Sequence, residues 1–254
     1  LTAATASAFR LGDGPDRSGH PPVGPVRAHE ERVVVLGDSV ATGAGCDCKP
    51  FGPRLATLLT QRVHRPVHVS TLAKNGLTTA ELLTQLRSDA ATITELGTAS
   101  AVTVTIAAND FDESQAGDSC PAGAGSAACY EPQLMALHPR LNELLHTLRR
   151  LTPPQAQILV TGYWNVFLDG VVGANEGPTY ERVSDALTQR VNDTLRLSAK
   201  EIGATYVDLY TAFRGNGSAD DTHLLADDGD HPSAAGQQRI AQALVGSLRT
   251  DASS

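Results

Sequence analysis

Apolar and polar positions along this chain follow two alternating rhythms. Val33 to Leu36 is a short, unbroken, β-branched apolar run, the pattern of a strand buried on both faces. Comparable runs recur at Val67–Leu72, Ala101–Ala107, Ile158–Thr161 and Thr205–Leu209. Between them the spacing becomes helical. Leu55, Leu58 and Leu59 mark a helix over Phe51–Val63 that Pro66 brings to an end. Thr78 with Glu81 three residues later forms a capping-box signature ahead of Leu82, Leu83 and Leu86. Leu134, Leu137, Leu141, Leu144, Leu145, Leu148 and Leu151 give the clearest amphipathic stripe, stopped by Pro153-Pro154. Val183, Leu187, Val191 and Leu195 mark another helix, and Ile240, Leu244 and Leu248 a closing one.

Five strands alternating with helices predict an α/β fold: a three-layer α/β/α sandwich around a five-stranded parallel sheet with right-handed crossovers. The flavodoxin-like strand order 2-1-3-4-5 is expected. Leu1 to Glu31 has no period and is dense in Gly, Pro, Ala and Ser, which predicts a flexible arm or linker ahead of one domain over residues 32–254. There is no internal repeat.

At 254 residues the chain can bury a substantial core, and a 41% hydrophobic, 19% charged composition is that of a globular protein. No apolar run reaches the length of a membrane span. The net charge of −8 argues against nucleic acid, whose backbone calls for a basic surface. Only Lys49, Lys74 and Lys200 among the 20 basic residues are lysine, a bias without a functional reading. Asn-x-Ser/Thr triplets begin at Asn192 and Asn216 and carry no weight alone.

The chemistry gathers at strand ends. Gly37-Asp38-Ser39 follows the first strand without a polar spacer, which puts a hydroxyl at the carboxyl edge of the sheet, where open α/β sheets bind ligands. Gly76 follows the second strand and Asn109 the third. In the order 2-1-3 those strands are neighbours. A hydroxyl, an unobstructed backbone amide and a side-chain amide would then meet, which is the inventory for attacking a carbonyl and holding the oxyanion that forms. A base is still required, and His231 stands out because Asp228 lies one turn before it. A carboxylate holding one ring nitrogen lets the other take a serine proton. Asp227 and Asp230 are alternative orienting acids.

Gly37-Asp38-Ser39, Asn75-Gly76, Asn109-Asp110 and Asp228-x-x-His231, in that order, resemble the four sequence blocks of the SGNH (GDSL-type) hydrolases. The resemblance spans Val33 to about Leu248. It implies Ser39 as nucleophile, His231 as base, Asp228 as its orienter, and an oxyanion hole from the Ser39 amide, the Gly76 amide and the Asn109 side chain. One position departs from the pattern: Ala107 stands where the family's third block has glycine, tolerable if the backbone angles there are ordinary. There is no Gly-x-Ser-x-Gly elbow and no Gly-x-Gly-x-x-Gly after the first strand, so neither an α/β-hydrolase nor a dinucleotide-binding domain is expected.

Trp164 and Phe167 follow the fourth strand and either line an acyl pocket or pack under the loop. His64 and His68 have helical metal spacing, but Pro66 intervenes and they read as surface residues. Cys46, Cys48, Cys120 and Cys129 fit no zinc knuckle and read as disulfides of an exported protein; the chain's opening on Leu1 suits a processed product. If the first and third strands are neighbours, their loops rise side by side, and two cross-loop bonds are expected rather than a strained three-residue ring at Cys46–Cys48.

The expectation is therefore a secreted, monomeric serine ester hydrolase acting on a small-molecule or lipid ester without metal or cofactor. An acyltransferase or thioesterase with the same triad is the alternative, and a non-catalytic lipid- or glycan-binding module a more distant one.

Overall fold

The computed structural model describes residues 31–111 and 127–249. Its centre is a single parallel sheet of β1 (Glu31–Gly37), β2 (Val67–Thr71), β3 (Ala101–Thr105), β4 (Gln157–Thr161) and β5 (Thr205–Val207), in the order β2-β1-β3-β4-β5. The expected order and three-layer arrangement hold. The register pairs Val33 with Ala101 and Gly37 with Thr105, so β1 and β3 end level with one another. Val33 to Leu36 and Val102 to Thr105 are buried on both faces, as their unbroken runs require. At the edge, β2 has no fully buried residue: Val67, Val69 and Ser70 are half-buried and His68 and Thr71 exposed.

The helices are α1 (Ser39–Thr42), α2 (Phe51–Val63), α3 (Thr79–Ser88), α4 (Ala90–Leu96), α5 (Glu131–Leu151), α6 (Gly170–Asn175), α7 (Pro178–Glu201), α8 (Leu209–Arg214) and α9 (Ala234–Ser247). From β1 the chain steps one way to β2, then reverses past β1 to β3, β4 and β5. With right-handed crossovers this places α2 on one face and α3, α5 and α7 on the other. The packing agrees: α2 lies against α9, and α3 against α5 against α7. The reversal makes the gap beyond β1 and β3 the switch point of the sheet, the place where such folds take their ligands.

Local signals act as the sequence indicates. Thr78 and Glu81 form a reciprocal capping box, with the Glu81 amide donating to the Thr78 hydroxyl and the Thr78 amide donating to the Glu81 carboxylate. α2 ends at His64 in a left-handed conformation just ahead of Pro66. His64 thus caps a helix and His68 stands on β2, both exposed. Two strands are shorter than their apolar runs. β3 stops at Thr105 because Ala107 leaves extended geometry, and β5 stops at Val207 because Asp208 turns to cap α8 through the Thr211 amide. The short helices α1, α4, α6 and α8 have too few turns to show a period in the sequence.

Asn192 is buried with both ends of its amide bonded to the main chain of Tyr163, so that triplet serves the core. Asn216 is exposed and accepts a bond from the Ser218 hydroxyl. Among the described residues no helix is long and apolar enough to cross a membrane. The segment expected to be an arm, apart from Glu31, lies outside the described residues, as does Cys120.

Candidate active site

Three turns at the carboxyl edge of the sheet build the site. The first begins at Gly37, where φ is +141° and a Cβ would lie 2.1 Å from the Thr105 carbonyl oxygen, so only glycine fits. The Asp38 amide donates to that same oxygen at 3.1 Å, fastening the end of β1 to β3. Asp38 is fully buried and caps α1, its Oδ1 accepting the Val40 amide at 3.0 Å. Ser39 follows as the first residue of α1 and is partly exposed. The Thr42 hydroxyl lies between the Ser39 carbonyl and the Asn75 side chain, joining the first turn to the second.

The second turn is set by Lys74, whose amide donates to the Gly37 carbonyl at 3.0 Å. Gly76 adopts φ +72°, and a Cβ there would meet nothing within 4 Å. Backbone conformation, not crowding, calls for glycine at this position.

The third turn is a single 3-10 turn, Ala108–Asp110. Asn109 donates one Nδ2 hydrogen to the Leu77 carbonyl at 3.0 Å, which orients the amide and leaves its second hydrogen for the cavity. Asp110 does not face the cavity. Its Oδ2 accepts the Thr79 amide at 2.9 Å and the Thr79 hydroxyl, and its Oδ1 lies 3.7 Å from Arg140. It anchors the third turn to the start of α3. Ala107 is where the expectation of ordinary backbone angles fails: φ is +120° and ψ −13°, a conformation that glycine adopts freely and alanine does not.

Beyond β5, Asp228 folds back on its own loop. Its Oδ1 accepts the amides of Asp230 at 3.0 Å and His231 at 2.9 Å, while Oδ2 lies 2.9 Å from His231 Nδ1. Asp230 Oδ2 is further from that nitrogen, at 3.6 Å, and Asp227 is exposed. Burial draws the Asp228 carboxyl upward, but the bonds from the His231 and Asp230 amides and the His231 ring outweigh it and hold the group below the usual range. The loop is closed at its base by the Ala226 amide on the His231 carbonyl and the Ser233 amide on the Leu224 carbonyl, and held from outside by the Asp169 amide on the Gly229 carbonyl.

Ser39, Gly76 and Asn109 all border one cavity of about 490 Å³, with Asp230 on the side of the histidine loop. Phe111, Val166, Phe167 and Leu168 supply an apolar stretch of its wall. Trp164 and Phe167 both border the cavity, and both are also packed: Trp164 stacks on Phe213 with centroids 4.4 Å apart, and Phe167 lies 5.6 Å from Tyr130. Asp38 forms part of the cavity floor. Burial pushes its carboxyl up to about 7, against the Tyr163 and Val40 hydrogen bonds that favour its charged form.

Two further residues belong to the site although nothing in their sequence context marks them. A Cβ on Gly45 would lie 2.6 Å from Asp228 Oδ2 and 2.7 Å from His231 Cβ, so the loop after α1 presses directly on the Asp–His pair. Gln237, buried on α9, accepts the Phe51 amide at 2.7 Å and donates to the Val40 carbonyl at 3.2 Å. It clamps the helix that follows His231 to the turn that carries Ser39. A Gly in a Gly-rich loop and a Gln on a helix have no distinguishing pattern.

The cysteines differ from expectation. Cys46 and Cys48 are bonded to each other across Asp47, with Cα atoms 5.1 Å apart, inside the normal range for a disulfide. Cys129 is disulfide-bonded too, and with the first pair closed neither cross-loop bond exists. The chain bends at Asp47, the one residue between them, so the small ring closes without a long reach.

Residues 35–239 match the model of the GDSL-like lipase/acylhydrolase family, and the chain belongs to that family. Solved structures extend the likeness over the fold. A lipase from a goat rumen metagenome superposes with a TM-score of 0.67 at 17% identity, covering 85% of this chain and 97% of its own. Phospholipase A1 from Streptomyces albidoflavus gives 0.62 at 24% identity, over 86% of this chain and all of that one. An acetylxylan esterase from Geobacillus stearothermophilus gives 0.59 at 17% identity, over 87% and 95%. No curated protein matches the sequence at a significant level.

Proposed function

We propose that this protein is a secreted serine ester hydrolase that works through an acyl-enzyme on Ser39. In this reading the Ser39 hydroxyl attacks the ester carbonyl while His231, neutral and held at Nδ1 by Asp228, takes its proton. The oxyanion is met by the Ser39 and Gly76 amides and by the Asn109 Nδ2 hydrogen that Leu77 leaves unused. His231 then protonates the leaving alcohol, and water cleaves the acyl-enzyme by the same route.

The observation that carries this reading is the shared cavity of Ser39, Gly76 and Asn109, with the bonded Asp228–His231 pair packed against the loop that follows Ser39. The apolar wall of Phe111, Val166, Phe167 and Leu168 supports an acyl group as the part of the substrate held there. Lipases and a phospholipase are among the structurally similar proteins, beside acetylxylan esterases, so the apolar wall and not the likeness carries this choice. Export is supported by the paired cysteines.

A series of p-nitrophenyl esters of increasing chain length, run beside an acetylated glycan and a phospholipid, tests the reading. Turnover should favour an acyl chain over the glycan and vanish in Ser39→Ala. A fluorophosphonate should add one phosphonyl mass to the wild type and none to Ser39→Ala. Undiminished turnover in Ser39→Ala would end the acyl-enzyme assignment, and preference for the glycan would end the acyl-pocket assignment.

A further inference from the structure

We infer that Tyr163 is a positioning residue for the oxyanion turn: its hydroxyl joins the turn carrying Asn109 to the turn carrying Ser39 and holds donor and nucleophile at one spacing. The inference rests on the roles just proposed for those two residues.

Tyr163 stands just past β4, two strands away from β1, yet its Oη donates to Asp38 Oδ2 at 2.5 Å. The same oxygen accepts the Ala108 amide at 3.4 Å. Asp38 Oδ1 accepts the Val40 amide at 3.0 Å. The result is a continuous path from the Ala108 N–H through the phenol and the carboxyl group to the Val40 N–H. Each amide belongs to the residue next to a site residue: Ala108 precedes Asn109, and Val40 follows Ser39.

The phenol is well fixed for this task. The Tyr163 side chain is 1% exposed, and Asn192 grips its main chain at both the N–H and the C=O, each at 2.8 Å. The turn it supports needs an outside hold, because Ala107 stands immediately before Ala108 at φ +120°, a strained conformation that persists only where its surroundings fix it. The Asn109 side chain is tied toward the second turn, through Leu77; the tyrosine bond runs toward the first. Phenylalanine would fill the ring's volume but leave the buried Asp38 Oδ2 without its donor and the Ala108 amide without its acceptor. The hydroxyl is therefore explained by what it connects.

Tyr163→Phe, Asn109→Ala and the double variant, assayed on one p-nitrophenyl ester, form the test. Tyr163→Phe should lower kcat about tenfold with KM changed less than about twofold, the split expected when a transition-state contact is misplaced. In an Asn109→Ala background the same change should cost less than about threefold, because the donor it positions is gone. Asp38→Asn keeps the cap on Val40 and turns the phenol's acceptor into a donor; it should show the same dependence on Asn109 and serves if Tyr163→Phe does not fold. Equal losses in both backgrounds, a loss confined to KM, or full activity in Tyr163→Phe would overturn the proposal alone. Full turnover in Asn109→Ala would overturn it together with the oxyanion reading.

Discussion

Gly45 and His231 stand so close that a methyl group on Gly45 would lie 2.7 Å from His231 Cβ, and 2.6 Å from Asp228 Oδ2. The glycine also adopts φ +71°, so an alanine there would be strained as well as crowded. Gly45→Ala should displace the Asp–His pair and lower kcat/KM by about tenfold or more, a shift of about 1 Å being enough for a 10²-fold loss. Gly203→Ala separates the two causes, since Gly203 has φ +69° but nothing within 4 Å of its Cβ. It should lose about 1 kcal/mol of stability, measured by denaturant unfolding, and keep its activity. Equal activity losses in the two variants would mean that contact with the pair plays no part.

Asp228 is expected to matter more than either acid beside it. Asparagine at 228 can still accept the two amides with its carbonyl oxygen, but its NH₂ would face His231 Nδ1 and favour the wrong ring tautomer. Asp228→Asn should therefore cost up to about 10⁴ in kcat while the fold stays intact. Asp230→Asn, from 3.6 Å, should cost no more than about tenfold, and exposed Asp227→Asn less still. A larger loss at Asp230 than at Asp228 would reassign the orienting acid.

What the sequence made legible was decided by range. Strand runs, the Thr78–Glu81 box and the prolines that end helices are local, and each acts where it stands. Ser39, Gly76 and Asn109 could be brought together because a parallel sheet converts strand ends into neighbours. Gly45, Gln237 and Tyr163 could not, because their work consists of contacts with residues 186, 197 or 125 positions away in the chain. The cysteines misled for a related reason: neighbouring loops implied a bridge, while a bend at Asp47 that no residue pattern announces let the nearer pair close.

Stability should fall as the pH rises from about 4 to about 7 and level off above that. Asp38 is raised by burial to about 7, from an ordinary value near 3.8. Asp221 is raised to about 7 as well, by burial and by the charge of Asp169. A carboxyl group with a raised folded-state pKa binds more protons folded than unfolded. Its stabilising effect is complete below the unfolded value and is lost as pH rises through the folded one. Asp228 has the opposite sign: its depressed value stabilises above about pH 4 and fails below it. Urea unfolding between pH 4 and 9 should show stability declining up to about pH 7 and flat beyond it, with a shallower decline in Asp38→Asn. An unchanged slope in that variant would show that Asp38 titrates alike in both states.

Ala107 offers the reverse of an ordinary glycine substitution. Its strain at φ +120° costs about 1–3 kcal/mol. Removing the buried methyl would give back about 0.8 kcal/mol, and the added freedom of the unfolded chain about 0.5–1 kcal/mol. Ala107→Gly should come out neutral to about 1 kcal/mol more stable by denaturant unfolding, with activity retained. Ala107→Val, which adds β-branching at the same φ, should lose several kcal/mol. A clear loss of stability in Ala107→Gly would mean that packing of the methyl outweighs the strain.

The Cys46–Cys48 bond encloses a single residue, so by chain entropy it stabilises the protein little. Its place points to a different role, because it stiffens the bend at Asp47 just after Gly45, which lies against Asp228 and His231. Mild reduction should lower kcat while the cooperative unfolding transition of the sheet stays within about 1 kcal/mol of the oxidised protein's. Cys46→Ser with Cys48→Ser should reproduce that loss without added reductant. Mass spectrometry can check the pairing first. A non-reducing tryptic digest should give Val33–Arg54, uncut at Lys49-Pro50, two hydrogens lighter than its reduced form and not joined to the peptide that holds Cys129. A cross-linked pair of those peptides would refute the pairing, and full activity after reduction would refute the role.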